Sequence, residues 1–199
     1  MTKIIVTAAL SALAIATPFA AQAQKLNPAV IAVVNNERVF TECTACKAAQ
    51  AQLQTQLQQI EQRAQQLGQP LQTEAQSLEA AVKALNGKQP DAAMQQRATA
   101  FQQKQGAAQK EISDRQQTFQ RNRAFVAQQI QAKLNPIVQQ VMTARGATVA
   151  LDTQATLASA ASIDVTNDVL AQLNQQLPSV STTAPAPAAQ PAQPQPQGR

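Results

Sequence analysis

The apolar positions of the chain follow two different periods, and each predicts a different kind of element. Val30 to Val34 form a continuous β-branched run, which predicts one buried strand. From near Cys43 to Leu85 the apolar residues recur in alternating steps of four and three. This spacing predicts a long helix with a single seam of the coiled-coil type. Pro70 falls within the pattern, but the register resumes unchanged after it, so we expect a kink and not an end.

A turn at residues 86–90 separates this helix from a second one. Asn86-Gly87 favours left-handed backbone, Asp91 is the expected N-cap of the next helix, and Gly146 is its expected end. Two helices joined by so short a turn run antiparallel, at a length of roughly 60–75 Å. Three slots of the second seam hold polar residues: Gln105, Arg115 and Asn122. We therefore predict that residues 43–146 form a hairpin arm that is firmly packed at its base and loose farther out.

The segment after the hairpin returns to strand-like and helix-like patterns. Thr148 to Asp152 predicts a second strand, and Ala155 to Ser159 a shorter third one. A last helix follows, capped by Asp164 or Thr166, with four apolar residues on one face: Val165, Val169, Leu173 and Leu177.

These patterns define the expected domain organisation. Residues 24–42 and 147–177 form a small α+β body, so the fold class is mostly α with a small β part. Pro178 stops the last helix, and residues 178–199 are a tail rich in Pro, Ala and Gln, a composition typical of disorder.

The first 23 residues have the pattern of a signal peptide. Lys3 is followed by an apolar run from Ile4 to Ala16, and Ala21-Gln22-Ala23 fits the small-x-small cleavage site. The run is too short to span a bilayer. We expect cleavage after Ala23 and an exported, soluble mature protein.

The composition is that of long helices with a thin apolar seam. The chain has no Trp or Tyr, and Gln is the main polar residue of the two long helices. Such a chain buries little surface alone, which favours oligomerisation.

The surplus positive charge is concentrated on the second arm. The formal net charge is +5, and residues 97–133 carry basic residues against only Glu111 and Asp114: Arg97, Lys104, Lys110, Arg115, Arg121, Arg123 and Lys133. This charge fits either acidic polypeptides or anionic lipid, or it only keeps the helix solvated. Nucleic acid is not an expected partner of an exported protein.

The chain lacks the residues that most catalytic sites use. It has no His and only five Gly, and its carboxylates are scattered along polar helix faces. We predict a protein that is not an enzyme, with no cofactor and no metal.

Cys43-Thr44-Ala45-Cys46 is the one reactive motif. The spacing permits a structural disulfide, links between subunits, thiol-disulfide exchange or metal binding. A structural pair is favoured, since a coiled coil follows where a redox fold would continue.

The order of these segments resembles the OmpH/Skp family of periplasmic chaperones. Four short motifs around the hairpin carry the resemblance: Ile31-Ala32-Val33-Val34-Asn35, Leu134-Asn135-Pro136-Ile137-Val138, Val149-Ala150-Leu151-Asp152 and Ile163-Asp164-Val165-Thr166. The resemblance covers about residues 29–177. It implies a homotrimer in the periplasm whose body is built from the strands, with this expected core: Val30, Ile31, Val33, Val149 and Leu151.

The resemblance also implies a function. Three arms would enclose a cavity that holds unfolded outer-membrane β-barrel proteins without ATP. The residues expected to contact clients or anionic lipid are Arg97, Lys104, Lys110, Arg121, Arg123 and Phe125. Two alternatives stay open: a structural or adaptor protein of the cell envelope, and a thiol-disulfide exchanger that uses Cys43 and Cys46.

Overall fold

The computed structural model describes residues 27–186, so the predicted signal peptide and residues 187–199 of the predicted tail lie outside the described part. The elements are β1 (Ile31–Val34), α1 (Asn36–Glu42), α2 (Thr44–Ala84), α3 (Ala92–Arg145), β2 (Val149–Asp152) and α4 (Thr166–Gln176). Two single 3₁₀ turns, Thr153–Ala155 and Ala161–Ile163, lie between β2 and α4. The predicted fold class, mostly helical with a small sheet, is confirmed.

α2 and α3 form the long hairpin. The turn between them contains Asn86 with φ 49° and Gly87 with φ 85°, both in left-handed backbone. The Asp91 carboxylate caps α3 by accepting from the Met94 N–H at 2.8 Å. Pro70 lies inside α2 and Pro136 inside α3, and both helices continue past them. At ~1.5 Å per residue, α2 is about 60 Å long and α3 about 80 Å.

Packing between the two long helices weakens toward the turn. Side chains are buried near the base, the outermost being Ile60 on α2 and Asn122 on α3. No residue from 61 to 121 is buried; the seam there is only partly covered. Two helices alone cannot enclose a seam that polar residues interrupt, so the outer arm is an open, two-sided surface.

The body is a two-stranded parallel sheet covered by short helices. β1 and β2 pair with Ile31 opposite Val149 and Val33 opposite Leu151, and the whole hairpin forms the connection between them. Val39 of α1, Ile137 of α3 and Leu173 of α4 have no exposed surface and lie in one core cluster. The predicted apolar face of α4 is fully used, since all four of its residues are buried.

The structure corrects the sequence prediction of the body at two places. α1 was not predicted; Asn35 caps it by accepting from the Arg38 N–H at 2.8 Å. The predicted third strand at Ala155 to Ser159 is wrong, because this segment pairs with no strand and Leu157 is fully exposed. Besides β2, β1 pairs only at one position within the described residues, through an isolated parallel bridge between Val33 and Asp164.

A further correction concerns the first part of the predicted tail. Residues 178–186 do not leave the molecule; they run back over the base of the hairpin. Val180 packs against the core cluster, and Thr182 is buried. We call Val180 to Ala184 the strap.

Candidate functional site

One face of the small sheet is apolar and largely uncovered. Alternation along a strand places Ile31, Val33, Val149 and Leu151 on the face opposite the core cluster. Ile31 is 43% exposed, Val149 38% and Leu151 37%, whereas Val33 is buried. Val30, just before β1, is also exposed. Four of the five residues predicted for the core of the trimer body are therefore open to solvent in the single chain.

Open grooves lie between the two arms of the hairpin, on the loosely packed part. The first, of about 490 Å³, has Ile60 and Phe119 as its apolar residues and Gln56, Arg115 and Asn122 at its polar edge. A second, of about 780 Å³, also contains Ile60 and Phe119 and is bordered by Arg121. A third, of about 650 Å³, lies farther out between Leu67, Leu71 and Ile112. Apolar side chains and Gln or Asn side chains line all three grooves.

Three of the predicted basic contact residues are already engaged within the hairpin. The Lys104 ammonium lies 2.9 Å from the Glu74 carboxylate on the other arm. The Lys110 ammonium lies 2.6 Å from the Asp114 carboxylate, and the Arg97 guanidinium donates to the Ser77 hydroxyl. Asp114 lies one helical turn from Lys110, so the sequence can show that pair. It could not show Glu74 and Ser77, which lie on the other arm, 30 and 20 residues away in the chain.

Arg121 and Arg123 are the more available cations. Arg121 donates to the Thr118 hydroxyl, and the Arg123 guanidinium lies 6.0 Å from the centre of the Phe119 ring. Within the described chain neither has a carboxylate within 4 Å. Both lie on the stretch of α3 that borders the grooves. Phe125, the predicted aromatic contact, is half-buried near the base.

Glu111 links the two arms beside the first groove. The Arg63 guanidinium donates two hydrogen bonds to it, of 2.8 and 3.0 Å, and Arg115 donates to the same carboxylate. These bonds, from Arg63 first and then Arg115, lower the pKa of Glu111 to about 2. The sequence gives no sign of this role for Arg63, because its partner is 48 residues away along the chain.

Cys43 and Cys46 are joined by a disulfide, with their Cα atoms 5.1 Å apart. Cys43 is the N-cap residue of α2, and both side chains are buried in the core cluster. A thiol exchange partner cannot reach buried sulfur atoms without opening the body. No group of three or more potential metal ligands occurs within residues 27–186.

The fold and these surfaces define a class of protein. It is a small body that carries one long, open helical hairpin, with an apolar sheet face at one end and grooved arms at the other. The chain belongs to the OmpH-like family of outer membrane proteins, whose family model matches residues 30–173.

A solved structure shares this fold. It is a putative outer membrane chaperone (OmpH-like) from Caulobacter crescentus CB15, with a TM-score of 0.65 and 24% sequence identity. The match covers 79% of this chain and 90% of that chain. A search among curated proteins found no match. Of the helices between residues 27 and 186, none combines the length and hydrophobicity needed to span a membrane.

Proposed function

We propose that this protein is a periplasmic holdase chaperone that binds unfolded outer-membrane β-barrel proteins between its helical arms and works without ATP. Membership of the OmpH-like family supports a chaperone role in general. The observation that carries the proposal is the hairpin itself, whose seam is open from residue 61 to 121 and grooved on its sides. Weak contacts at many points along such arms give firm overall holding, while each single contact stays reversible.

The assembly that we propose is a homotrimer. The largely uncovered sheet face supports it, because burying its exposed residues between subunits would gain hydrophobic free energy. These residues are Val30, Ile31, Val149 and Leu151. Three copies joined at these faces bring three hairpins to one side of a shared body. An unfolded chain inside the cavity could then contact several arms at once.

The direct test is suppression of aggregation. A urea-unfolded β-barrel protein is diluted into buffer without nucleotide, and light scattering is followed with and without the mature protein. We expect scattering to be suppressed at near-stoichiometric amounts of trimer. Unchanged aggregation would reject the holdase, and stable association with one fixed envelope component would then favour the adaptor.

The electrostatic part of client binding is assigned to Arg121 and Arg123. Changing both to Glu should weaken capture of the unfolded protein several-fold at low salt and little at high salt, since exposed charges act mainly on association. The matched control is Lys47→Glu with Lys88→Glu, which lowers the net charge by the same amount at exposed residues that line none of the grooves. Equal affinity of the arginine variant and the control for the unfolded protein would show that Arg121 and Arg123 do not contribute to client binding.

The same two arginines are the proposed contact for anionic lipid. Sedimentation with phosphatidylglycerol vesicles measures it, and binding that persists in the double arginine variant argues against this surface.

The structure gives no support to a thiol-disulfide exchanger, because the disulfide is buried. We propose a structural role for Cys43 and Cys46, at the junction of the body and the arm. The proposed mechanism needs no cofactor, metal or catalytic residue.

A further inference from the structure

The strap is held by amide side chains from both arms of the hairpin. Five hydrogen bonds join it to α2 and α3, and every partner on the helices is Gln or Asn: Gln52, Gln56, Asn122 and Gln129. A segment with the composition of a disordered tail is thus fixed over the base of the arms.

Most of these bonds read the backbone of the strap and not its side chains. Gln129 bonds to both backbone groups of Ser181. Its side-chain amide donates to the Ser181 carbonyl at 2.9 Å and accepts from the Ser181 N–H at 3.0 Å. Gln56 donates to the Thr182 carbonyl, and Asn122 accepts from the Ala184 N–H. Only the Thr182 hydroxyl, which donates to Gln52, is a side-chain contact. Because every non-proline residue offers the same backbone groups, this recognition tolerates almost any sequence.

Asn122 is a buried polar residue of α3 that depends on the strap for one of its hydrogen bonds. It occupies a seam slot where an apolar residue would pack, and it is buried. Its amide donates to the Gln56 carbonyl oxygen at 2.9 Å and accepts from the Ala184 N–H at 2.9 Å. A buried amide needs both partners, and its second partner here is a peptide N–H from outside the two helices.

The strap also lies beside the first groove. Thr183 forms part of that groove together with Ile60 and Phe119. A chain that entered at the strap position would continue onto an apolar surface between the arms. The strap position offers hydrogen bonds to the backbone, and the first groove offers apolar contact. An unfolded polypeptide can use both, because its backbone groups and its apolar side chains are exposed.

We propose that the base of the hairpin is a polypeptide-binding site that reads backbone amides through Gln56, Asn122 and Gln129, and that residues 180–184 occupy it until an unfolded client displaces them. The inference rests on the proposed function, because it assigns the client to this groove. It adds that residues 180–184 compete with the client for the same site and so lower the apparent affinity for the client.

The test uses the full mature chain with the strap weakened. Ser181→Pro removes the N–H that Gln129 accepts, while Ser181→Ala keeps both backbone groups and is the matched control. The probe is a fluorescein-labelled synthetic peptide with the sequence of residues 178–186, followed by fluorescence anisotropy. The apparent affinity of a partly occupied site falls by the fraction of time that the site is open. We expect several-fold tighter peptide binding to the Ser181→Pro variant than to the wild type, and wild-type binding for Ser181→Ala.

A second pair of variants identifies the site. Ala184→Pro, which removes the N–H donated to Asn122, should act like Ser181→Pro. Adding Gln56→Leu and Gln129→Leu to the Ser181→Pro variant should abolish peptide binding. Circular dichroism melting shows that each variant is folded. Peptide binding no tighter than wild type in both proline variants overturns the proposal.

A competition experiment separates this inference from the proposed function. Urea-unfolded β-barrel protein should displace the labelled peptide from the Ser181→Pro variant. If the client is held but displaces no peptide, this site is not a client site and the holdase stands. If the client is not held while the peptide still binds, the proposed function is wrong, but the peptide-binding site at the base of the hairpin is supported.

Discussion

At the scale of single residues, the amide side chains of this protein do more than keep its helices solvated. Gln and Asn have both a donor and an acceptor, so they can pair with a peptide group in either direction. Gln129 does so at Ser181, and Asn122 joins Gln56 to the strap. A polar residue in a coiled-coil seam reads in the sequence as a weak position. Here it is a binding group whose partner comes from a distant segment.

The cysteine pair gives the first prediction at this scale. Changing Cys43 and Cys46 both to Ala should lower the free energy of unfolding by about 2 kcal/mol, the chain-entropy contribution expected of a cross-link that closes so short a loop. Denaturant unfolding followed by circular dichroism measures the change. Holding of an unfolded β-barrel protein should be unaffected at a temperature where the variant is folded. Complete loss of holding by a folded variant would revive the thiol-exchange alternative.

At the scale of elements, the hairpin has two regions with different physics. The base is a packed core shared by all four α-helices, and the outer arm is a pair of helices with a half-covered seam. The sequence predicts this gradient, because apolar residues are dense from Val126 to Val141 and sparse before them. Ion pairs such as Arg63 with Glu111 join the arms where apolar contact is thin.

Two isoleucines on α3 test the gradient with the same substitution. Ile130 is 3% exposed at the base, and Ile112 is half-buried in the outer arm. Ile130→Ala should cost about 2–5 kcal/mol in the free energy of unfolding, through lost burial and a cavity. Ile112→Ala should cost roughly 1 kcal/mol, because its side chain is only partly removed from water. Equal costs from urea denaturation would show that the arm is packed evenly along its length.

The Glu111 carboxylate makes the arm sensitive to acid. Its pKa is lowered from 4.5 to about 2, chiefly by the hydrogen bonds from Arg63. A lowered pKa stabilises the folded arm above about pH 4.5, and this contribution disappears as the pH falls toward 2. The melting temperature of the wild type should exceed that of Glu111→Gln at pH 7, and the difference should vanish near pH 2. Glu79→Gln is the control, since its Lys83 partner lies on the same helix. A difference that persists unchanged at pH 2 would contradict the role of this carboxylate.

At the scale of the whole molecule, the body leaves part of its apolar surface uncovered in the single chain. Its core lies on one side of the two-stranded sheet, and the other side presents apolar residues to solvent. A sheet of two strands is marginal by itself, and its uncovered apolar residues are the surface through which we propose that further copies associate. The long hairpin is the connection between the two parallel strands, and any assembly through the sheet therefore fixes the direction of the arms.

Oligomerisation provides the prediction at this scale. Ile31→Glu places a charge on the uncovered sheet face and should convert the proposed trimer to monomer at micromolar concentration, because an unpaired charge is costly to bury. Sedimentation velocity measures the molecular mass. Val82→Glu is the control, an apolar residue on α2 near the turn that is at least as exposed as Ile31, and it should leave the mass unchanged. A trimer that survives Ile31→Glu would place the subunit interface elsewhere.

The sequence alone determined the features that depend on local or periodic chemistry. Short apolar runs specify β1 and β2, the seven-residue repeat specifies α2, and Asn86-Gly87 with Asp91 specifies the turn. Each signal lies within a few turns of chain, so backbone propensity and side-chain period are sufficient to read it. The family resemblance followed from the order of these same segments.

Only the tertiary structure decided the features that depend on distant partners. α1 is too short to show a helical period, and Ala155 to Ser159 lacks a neighbouring strand to pair with. The strap has the composition of a disordered tail, yet five hydrogen bonds from two other helices hold it. Its order depends on groups more than 50 residues away along the chain, which no local pattern of the tail can reveal.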